Sequence, residues 1–318
     1  MKKVILIFAL FLTACGDGAT NQNTAVVQST PAPVTMPTPV PRQAPDADLE
    51  RTFAEIAKDA KGKVGIAAVV FETGQNASLN GGERFAMQSV YKVPIAMAVM
   101  HEVDAGKYKP EQEVEIKKED FVAAGQASAL RDKFPNGTKL PLWELIGYAI
   151  SQSDGTASDV LMRMAGGAAG VQKFVNEAGL TDIVIQNTEK ELGKDQKLQY
   201  QNSITPEAAV ALLTELKTGT SIERERGKLI MDFMNEAVTG LNRLRGMLPE
   251  NAYVAHKTGT SGTSGGVTAA TNDIGLIALP NGNYMAIAVL VGDSSADEKT
   301  RDMVIAKIAK AAWDKWGQ

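Results

Sequence analysis

Three short motifs carry side chains suited to acyl transfer. Ser89-Val90-Tyr91-Lys92 is S-x-x-K. On a helix, positions i and i+3 share one face. A serine hydroxyl is a poor nucleophile until a base takes its proton, and Lys92 is spaced one turn on to take it. A helix starting at Ser89 adds backbone N–H donors and the positive end of a dipole. Pro94 is a local cost there, because it leaves the Val90 carbonyl without its helical donor. Ser153-Asp154-Gly155 is the second motif, in a loop before a helix starting near Ala157. Its serine can relay a proton to a leaving nitrogen. Lys257-Thr258-Gly259 is the third and ends a strand. Lys257 supplies a second cation, and Gly259 would let a substrate backbone approach the strand closely.

These residues must be positioned by elements that the hydrophobic pattern predicts. A helix is expected over residues 49–60, capped by Asp48. A strand over 64–72 ends in the turn Thr73-Gly74-Gln75-Asn76, and a second strand follows near 84–88. From Ser89 to about Ala237 the pattern is helical throughout. The clearest helices cover 90–104, 142–150, 157–164, 171–178, 206–216 and 222–236. Thr205 before Pro206 makes a good cap and first-turn pair. Strands return over 252–259, 273–279 and 284–292. The last two are apolar at almost every position, so both sheet faces are covered. A final helix spans 297–316. The expected fold is α/β, an α+β sandwich: an antiparallel five-stranded sheet flanked by helices, with an all-helical insertion. Residues 46–88 and 238–318 form the α/β part and 89–237 the helical part. The cleft between them is the expected site.

The motif set resembles that of class A serine β-lactamases. The likeness runs from about Leu49 to Trp316, and it implies the serine β-lactamase/D,D-peptidase-like fold. Thirty-six residues after Ser153 stands Glu189, in Glu189-Lys190-Glu191-Leu192. This is similar to the family's omega-loop E-x-x-L, whose glutamate activates the deacylating water. Tyr200-Gln201-Asn202, Lys257-Thr258-Gly259-Thr260-Ser261-Gly262 and Thr271-Asn272-Asp273 look like one extended-spectrum branch. The resemblance implies a mechanism. Ser89 attacks the lactam carbonyl and loses its proton to Lys92, or to Glu189 through a water. Backbone N–H groups of Ser89 and Thr260 form the oxyanion hole. Ser153 protonates the departing nitrogen. Lys257, Thr258, Gly259, Thr260, Ser261 and Arg243 bind substrate, the arginine through its paired donors. The resemblance implies no metal or organic cofactor.

Three departures stand out. Gly155 replaces an asparagine that holds the substrate side chain and the lysine. Gly193 replaces an asparagine that helps hold the water. Asn187 and Asn202 stand where an arginine–aspartate bridge usually closes the loop. The two glycines are expected to slow acylation or deacylation of some substrates. They keep two alternatives in view: a penicillin-binding D,D-peptidase, or a poorly deacylating β-lactam-binding lipoprotein.

Met1-Lys2-Lys3, an apolar run over 4–12 and Leu12-Thr13-Ala14-Cys15 read as a signal peptide over 1–14 ending in a lipobox-like site. Cys15, the one cysteine of 318 residues, is then lipidated. Residues 15–45 are the anchor and a proline-rich linker, and 46–318 the catalytic unit. Six of the 13 prolines lie between Pro31 and Pro45, which keeps that linker extended. Localisation is expected in the periplasm, on a lipid anchor; Gly16 after Cys15 points to the outer membrane. One cysteine allows no intrachain disulfide. Two isolated histidines, His101 and His256, cannot build a zinc site. A net charge of −4 without any basic cluster argues against nucleic acid as a partner. A monomer acting on small β-lactams is expected. Gly262-Thr263-Ser264-Gly265-Gly266 matches a nucleophile elbow, but both histidines precede Ser264, which contradicts that order.

Overall fold

A computed structural model describes residues 40–318. The signal segment, Cys15 and most of the linker lie outside the described residues. Helix α1 (Ala47–Ala57) is capped by Asp46, whose carboxylate accepts from the Leu49 N–H at 3.1 Å. Asp48 is therefore not the cap; it sits in the first turn, where an acidic side chain suits the helix dipole. Strands β1 (Lys63–Val70) and β2 (Asn76–Leu79) form a hairpin. The expected second strand over 84–88 is misplaced, because the turn after Val70 returns the chain to pairing at once. Only β3 (Phe85–Ala86) forms in that region.

Helix α2 (Lys92–Asp104) follows a 3-10 turn over Gln88–Tyr91. Pro94 is thus the third residue of α2. Its missing N–H falls among the first-turn donors that have no helical partner anyway, so the expected cost is absent. Ten of the 13 residues of α2 are buried, as befits a helix apolar on all sides. It forms the centre of the helical part.

Next come β4 (Glu113–Ile116), α3 (Ala129–Lys133) and β5 (Thr138–Pro141). The antiparallel β4–β5 pair corrects the expectation of a wholly helical segment. Helix α4 (Leu142–Ser151) leads to α5 (Gly155–Met164) and α6 (Gly167–Glu177). Asp154 caps α5 by accepting from the Ala157 N–H at 2.9 Å, so α5 starts at Gly155 rather than Ala157. Strand β6 (Ile183–Val184), the one-turn α7 (Glu189–Leu192) and β7 (Ser203–Ile204) frame the omega loop. Helices α8 (Pro206–Thr218) and α9 (Arg224–Asn235) complete the insertion. Thr205 caps α8, accepting from the Ala208 N–H at 3.1 Å.

Strands β8 (Val254–Thr260), β9 (Thr263–Ser264), β10 (Val267–Ala278) and β11 (Tyr284–Ser294) precede α10 (Glu298–Trp316). The main sheet is antiparallel, in the order β2-β1-β11-β10-β8, with β9 added beside β10. It is the expected five-stranded sheet plus one two-residue strand. Alternation along β1 divides the core. Ile66, Ala68 and Val70 meet Phe53, Ile305 and Ile308 of α1 and α10. Ala67 and Val69 share the other cluster with α2 and α8. Both faces of β11 are covered, which accounts for its unbroken apolar run.

Candidate active site

Four segments bring the motif residues to one cleft of about 530 Å³. Ser89 lies in the 3-10 turn before α2. That turn is tied down from the sheet: Asn272 Nδ2 donates to the carbonyls of Ala86 at 2.8 Å and Met87 at 3.2 Å. Gln88 has φ of 46°, and its amide donates to Gln199 Oε1 at 2.9 Å. Strand β8 passes directly behind. A Cβ on Gly259 would stand 2.3 Å from the Met87 carbonyl oxygen. Gly259 therefore admits the Ser89 turn itself.

Lys92 is 2% exposed. Its Nζ donates to Ser89 Oγ at 2.8 Å and to the Ser153 carbonyl at 2.9 Å. It also meets Glu189 Oε1 at 2.7 Å. One ammonium thus bridges the nucleophile and the omega-loop carboxylate. Ser153 has φ of 57°, a left-handed conformation that an L-residue adopts at a cost. The turn is fixed by Asp154, which also accepts from the Leu130 N–H at 2.8 Å and the Ser128 hydroxyl at 3.1 Å. Burial raises the Asp154 carboxyl above its usual range. Ser153 Oγ accepts from Lys257 Nζ at 2.9 Å. Burial, then the charge of Lys92, holds Lys257 well below a lysine's ordinary pKa. An incoming carboxylate would stabilise its charged form.

Glu189 opens α7. Thr188 and Glu191 make a reciprocal capping box across that turn. Asp159 of α5 accepts from the Glu189 N–H at 2.7 Å and the Lys190 N–H at 3.0 Å. Burial raises Asp159 to about 6 in spite of those two bonds. Asn202 closes the neck of the loop. Its Oδ1 accepts from the N–H groups of Gln186 and Asn187 at 2.8 and 2.9 Å, and its Nδ2 donates to the Asn187 carbonyl at 2.9 Å. A neutral amide thus does the work expected of a charged bridge.

Thr258, Thr260 and Ser261 line the cleft with Gly193. Thr258 shares a 2.7 Å hydroxyl contact with Thr239. Gly155 donates its N–H to the Ala127 carbonyl at 2.9 Å. Arg243 packs against the strand that carries Lys257-Thr258-Gly259. Its Nε donates to Asp302 at 2.7 Å and one terminal nitrogen to the Asn272 carbonyl at 3.0 Å. The same nitrogen also reaches the Gly259 carbonyl, at 3.5 Å, so the guanidinium stands beside the third motif. His256 points away from Lys257 and contacts Asp273 at 2.9 Å in the core. Ser264 lies in the exposed β9–β10 hairpin.

Sequence reasoning missed Asp159, Thr239 and Gln126. Asp159 sits one turn beyond the Ser153 motif on α5, and it meets Glu189 only after the chain has folded back from 30 residues on. No local pattern marks such a pair.

A strained serine turn, a buried lysine on each side and a carboxylate beside the nucleophile's lysine define a serine acyl-transfer hydrolase. Comparison with known proteins gives the family. The model described as "Beta-lactamase enzyme family" matches residues 48–316. Beta-lactamase VEB-1 of Pseudomonas aeruginosa is 38% identical over 269 residues, covering 84% of this chain and 90% of that protein. Extended-spectrum beta-lactamase PER-1 of the same organism is 33% identical over 265 residues, covering 83% and 86%. Among solved structures, a β-lactamase from Chitinophaga pinensis superposes with a TM-score of 0.83 at 40% identity, covering 84% of this chain and 99% of that one. The chain belongs to the β-lactamase enzyme family and is a class A serine β-lactamase, closely related to the extended-spectrum enzymes. It hydrolyses β-lactam rings through an acyl-serine intermediate. A periplasmic location is consistent with its bacterial relatives.

Proposed function

We propose the following division of labour within the β-lactam hydrolysis that confers antibiotic resistance. The substrate carboxylate docks against Lys257 and Thr258, with Gly259, Thr260 and Ser261 alongside. Ser89 Oγ attacks the lactam carbonyl. Its proton leaves through Lys92, or through a water to Glu189. The oxyanion is held by the N–H groups of Ser89 and Thr260, each such donor being worth about 2.7–4 kcal/mol. Ser153, already hydrogen-bonded to Lys257, protonates the lactam nitrogen as the C–N bond breaks. The proton taken from Ser89 is passed on to restore Ser153; Glu189 then takes a proton from the water as it attacks the ester, and that proton returns to Ser89 Oγ as the acyl C–O bond breaks. Arg243, braced by Asp302 and set beside Gly259, helps Lys257 bind the substrate carboxylate.

One observation carries this reading: Lys92 Nζ lies 2.8 Å from Ser89 Oγ and 2.7 Å from Glu189 Oε1. It supports deacylation at the same centre that acylates, which neither a penicillin-capturing peptidase nor a binding lipoprotein requires. Sustained turnover of a chromogenic cephalosporin, abolished in Ser89→Ala, is the expected result. A single stoichiometric burst from the wild-type protein would overturn it.

The further proposals concern placement. Cys15 is the lipidation site, residues 1–14 are removed, and the enzyme works as a monomer tethered by its linker, on the outer membrane. Cys15→Ser should move the activity from the membrane fraction to the soluble periplasm.

A further inference from the structure

Gly193 ends α7 with φ of −69° and ψ of −18°. That is ordinary right-handed backbone, open to any L-residue. The chain conformation therefore does not call for glycine. What excludes a side chain is Gln126. A Cβ on Gly193 would stand 2.4 Å from Gln126 Oε1, 2.6 Å from Cδ and 2.9 Å from Nε2. The glutamine amide occupies the space in which a side chain at 193 would begin.

That amide is held at both ends. Its Nε2 donates to the Glu189 carbonyl, and its Oε1 accepts from the Ala123 N–H at 3.3 Å. The segment behind it is fixed by Arg131, which donates to the carbonyls of Val122, Ala123 and Gln126 at 3.2, 2.8 and 3.1 Å. Glu189 is thus gripped from two sides. Asp159 takes its N–H, and Gln126 binds its carbonyl. The Gly193 N–H also reaches that carbonyl, at 2.9 Å. Gln126 and Gly193 both border the catalytic cleft.

We propose that Gln126 is a positioning residue for the deacylation step, and that Gln126 and Gly193 work as one unit in which the glutamine amide replaces the side chain the glycine lacks. The proposal rests on the reading that Glu189 aims the hydrolytic water. Gln126 touches no reacting atom. It acts by holding the main chain from which the Glu189 carboxylate extends.

Two single variants and their combination test it. Gln126→Ala removes the amide. Gly193→Ala pushes it aside, since the far end of a glutamine can rotate away. Each should slow deacylation about 3- to 10-fold, the loss of roughly one hydrogen bond. When deacylation slows, kcat and KM fall together and kcat/KM holds, while the acyl-Ser89 adduct rises at steady state in mass spectra. Because both variants break the same contact, the double variant should be no slower than the slower single. The inference is overturned if Gln126→Ala leaves kcat and the adduct level within twofold of wild type, or if the two effects multiply. It is equally overturned if the melting temperature drops while the kcat-to-KM relation stays put, which is the mark of a merely structural residue. Glu189→Ala separates the two layers. Adduct accumulation there, with no effect from Gln126→Ala, sinks this inference alone; normal turnover in Glu189→Ala sinks the reading beneath it as well.

Discussion

Asp159 holds two successive N–H groups of the omega loop while burial pushes its carboxyl up to about 6. As pH falls through that value the carboxylate takes a proton, one oxygen becomes an O–H donor, and one loop N–H loses its acceptor. Deacylation should therefore show an acid limb near pH 6. The stability effect has the opposite sign. A carboxyl whose folded pKa lies above its unfolded 3.8 opposes folding above about 6, and this opposition fades as the pH drops towards 3.8. Activity and this group's share of stability should thus move apart between pH 6 and 4. In Asp159→Asn the limb should disappear and kcat should fall at neutral pH. A pH profile of kcat, with thermal melts at each pH, checks both. Gly155 poses a separate question. A Cβ there would lie 3.2 Å from the Ala127 carbonyl oxygen and 3.4 Å from Glu189 Cγ. The neighbours must give by only a few tenths of an ångström. Gly155→Asn should raise kcat/KM by supplying an amide to the substrate side chain, and a fall of about tenfold, or 1.4 kcal/mol, would show a cleft rebuilt around glycine.

At the scale of elements, the sheet and the Ser89 turn depend on each other at Gly259. Gly259→Ala would drive a methyl to 2.3 Å from the Met87 carbonyl oxygen. Overpacking of this kind costs about 1–3 kcal/mol. Here it should also shift Ser89 and lower kcat/KM more than it lowers stability, as thermal melts and acylation rates would show. Much of the element pattern was legible. Thr205-Pro206 announced α8, and the unbroken apolar runs announced β10 and β11. The motif serines and lysines were found because their spacing is local or shared with a known family. What stayed hidden was long-range. Glu113-Val114-Glu115-Ile116 alternates as a strand does, with only Val114 and Ile116 buried. Four residues inside a helical stretch are too short to overrule the surrounding period. The place of β2 was set by a tight turn rather than by hydrophobicity. Asp46 rather than Asp48 caps α1, and its second oxygen accepts from the indole N–H of Trp316, at 3.4 Å. Gln126 carried no mark at all: its meaning depends on a glycine 67 residues further on.

At the scale of the whole molecule, the site is a seam. The sheet supplies Lys257, the 3-10 turn and the first residue of α2 supply Ser89 and Lys92, and later segments of the helical part supply Ser153 and Glu189. No single part holds a complete set. The described residues from Val40 onward contain all of these, together with the cap of α1. A protein beginning at Val40 should melt within a degree or two of the full chain and turn over β-lactams at the same rate. One beginning at Leu49 loses the Asp46 cap together with the backbone bonds of Gln43 to Gly74 and Asp46 to Asn76, and should be less stable by more than the roughly 1 kcal/mol of the cap alone, with kcat unchanged. Calorimetry on the two truncations distinguishes them.

In the proposed mechanism Glu189 is the group that frees the enzyme from its own intermediate. The decisive measurement is mass spectrometry of Glu189→Ala mixed with a β-lactam over a time course. The prediction is a stoichiometric adduct on Ser89 that forms and then persists far longer than in the wild-type enzyme. Turnover at the wild-type rate, or an adduct on another residue, would contradict it.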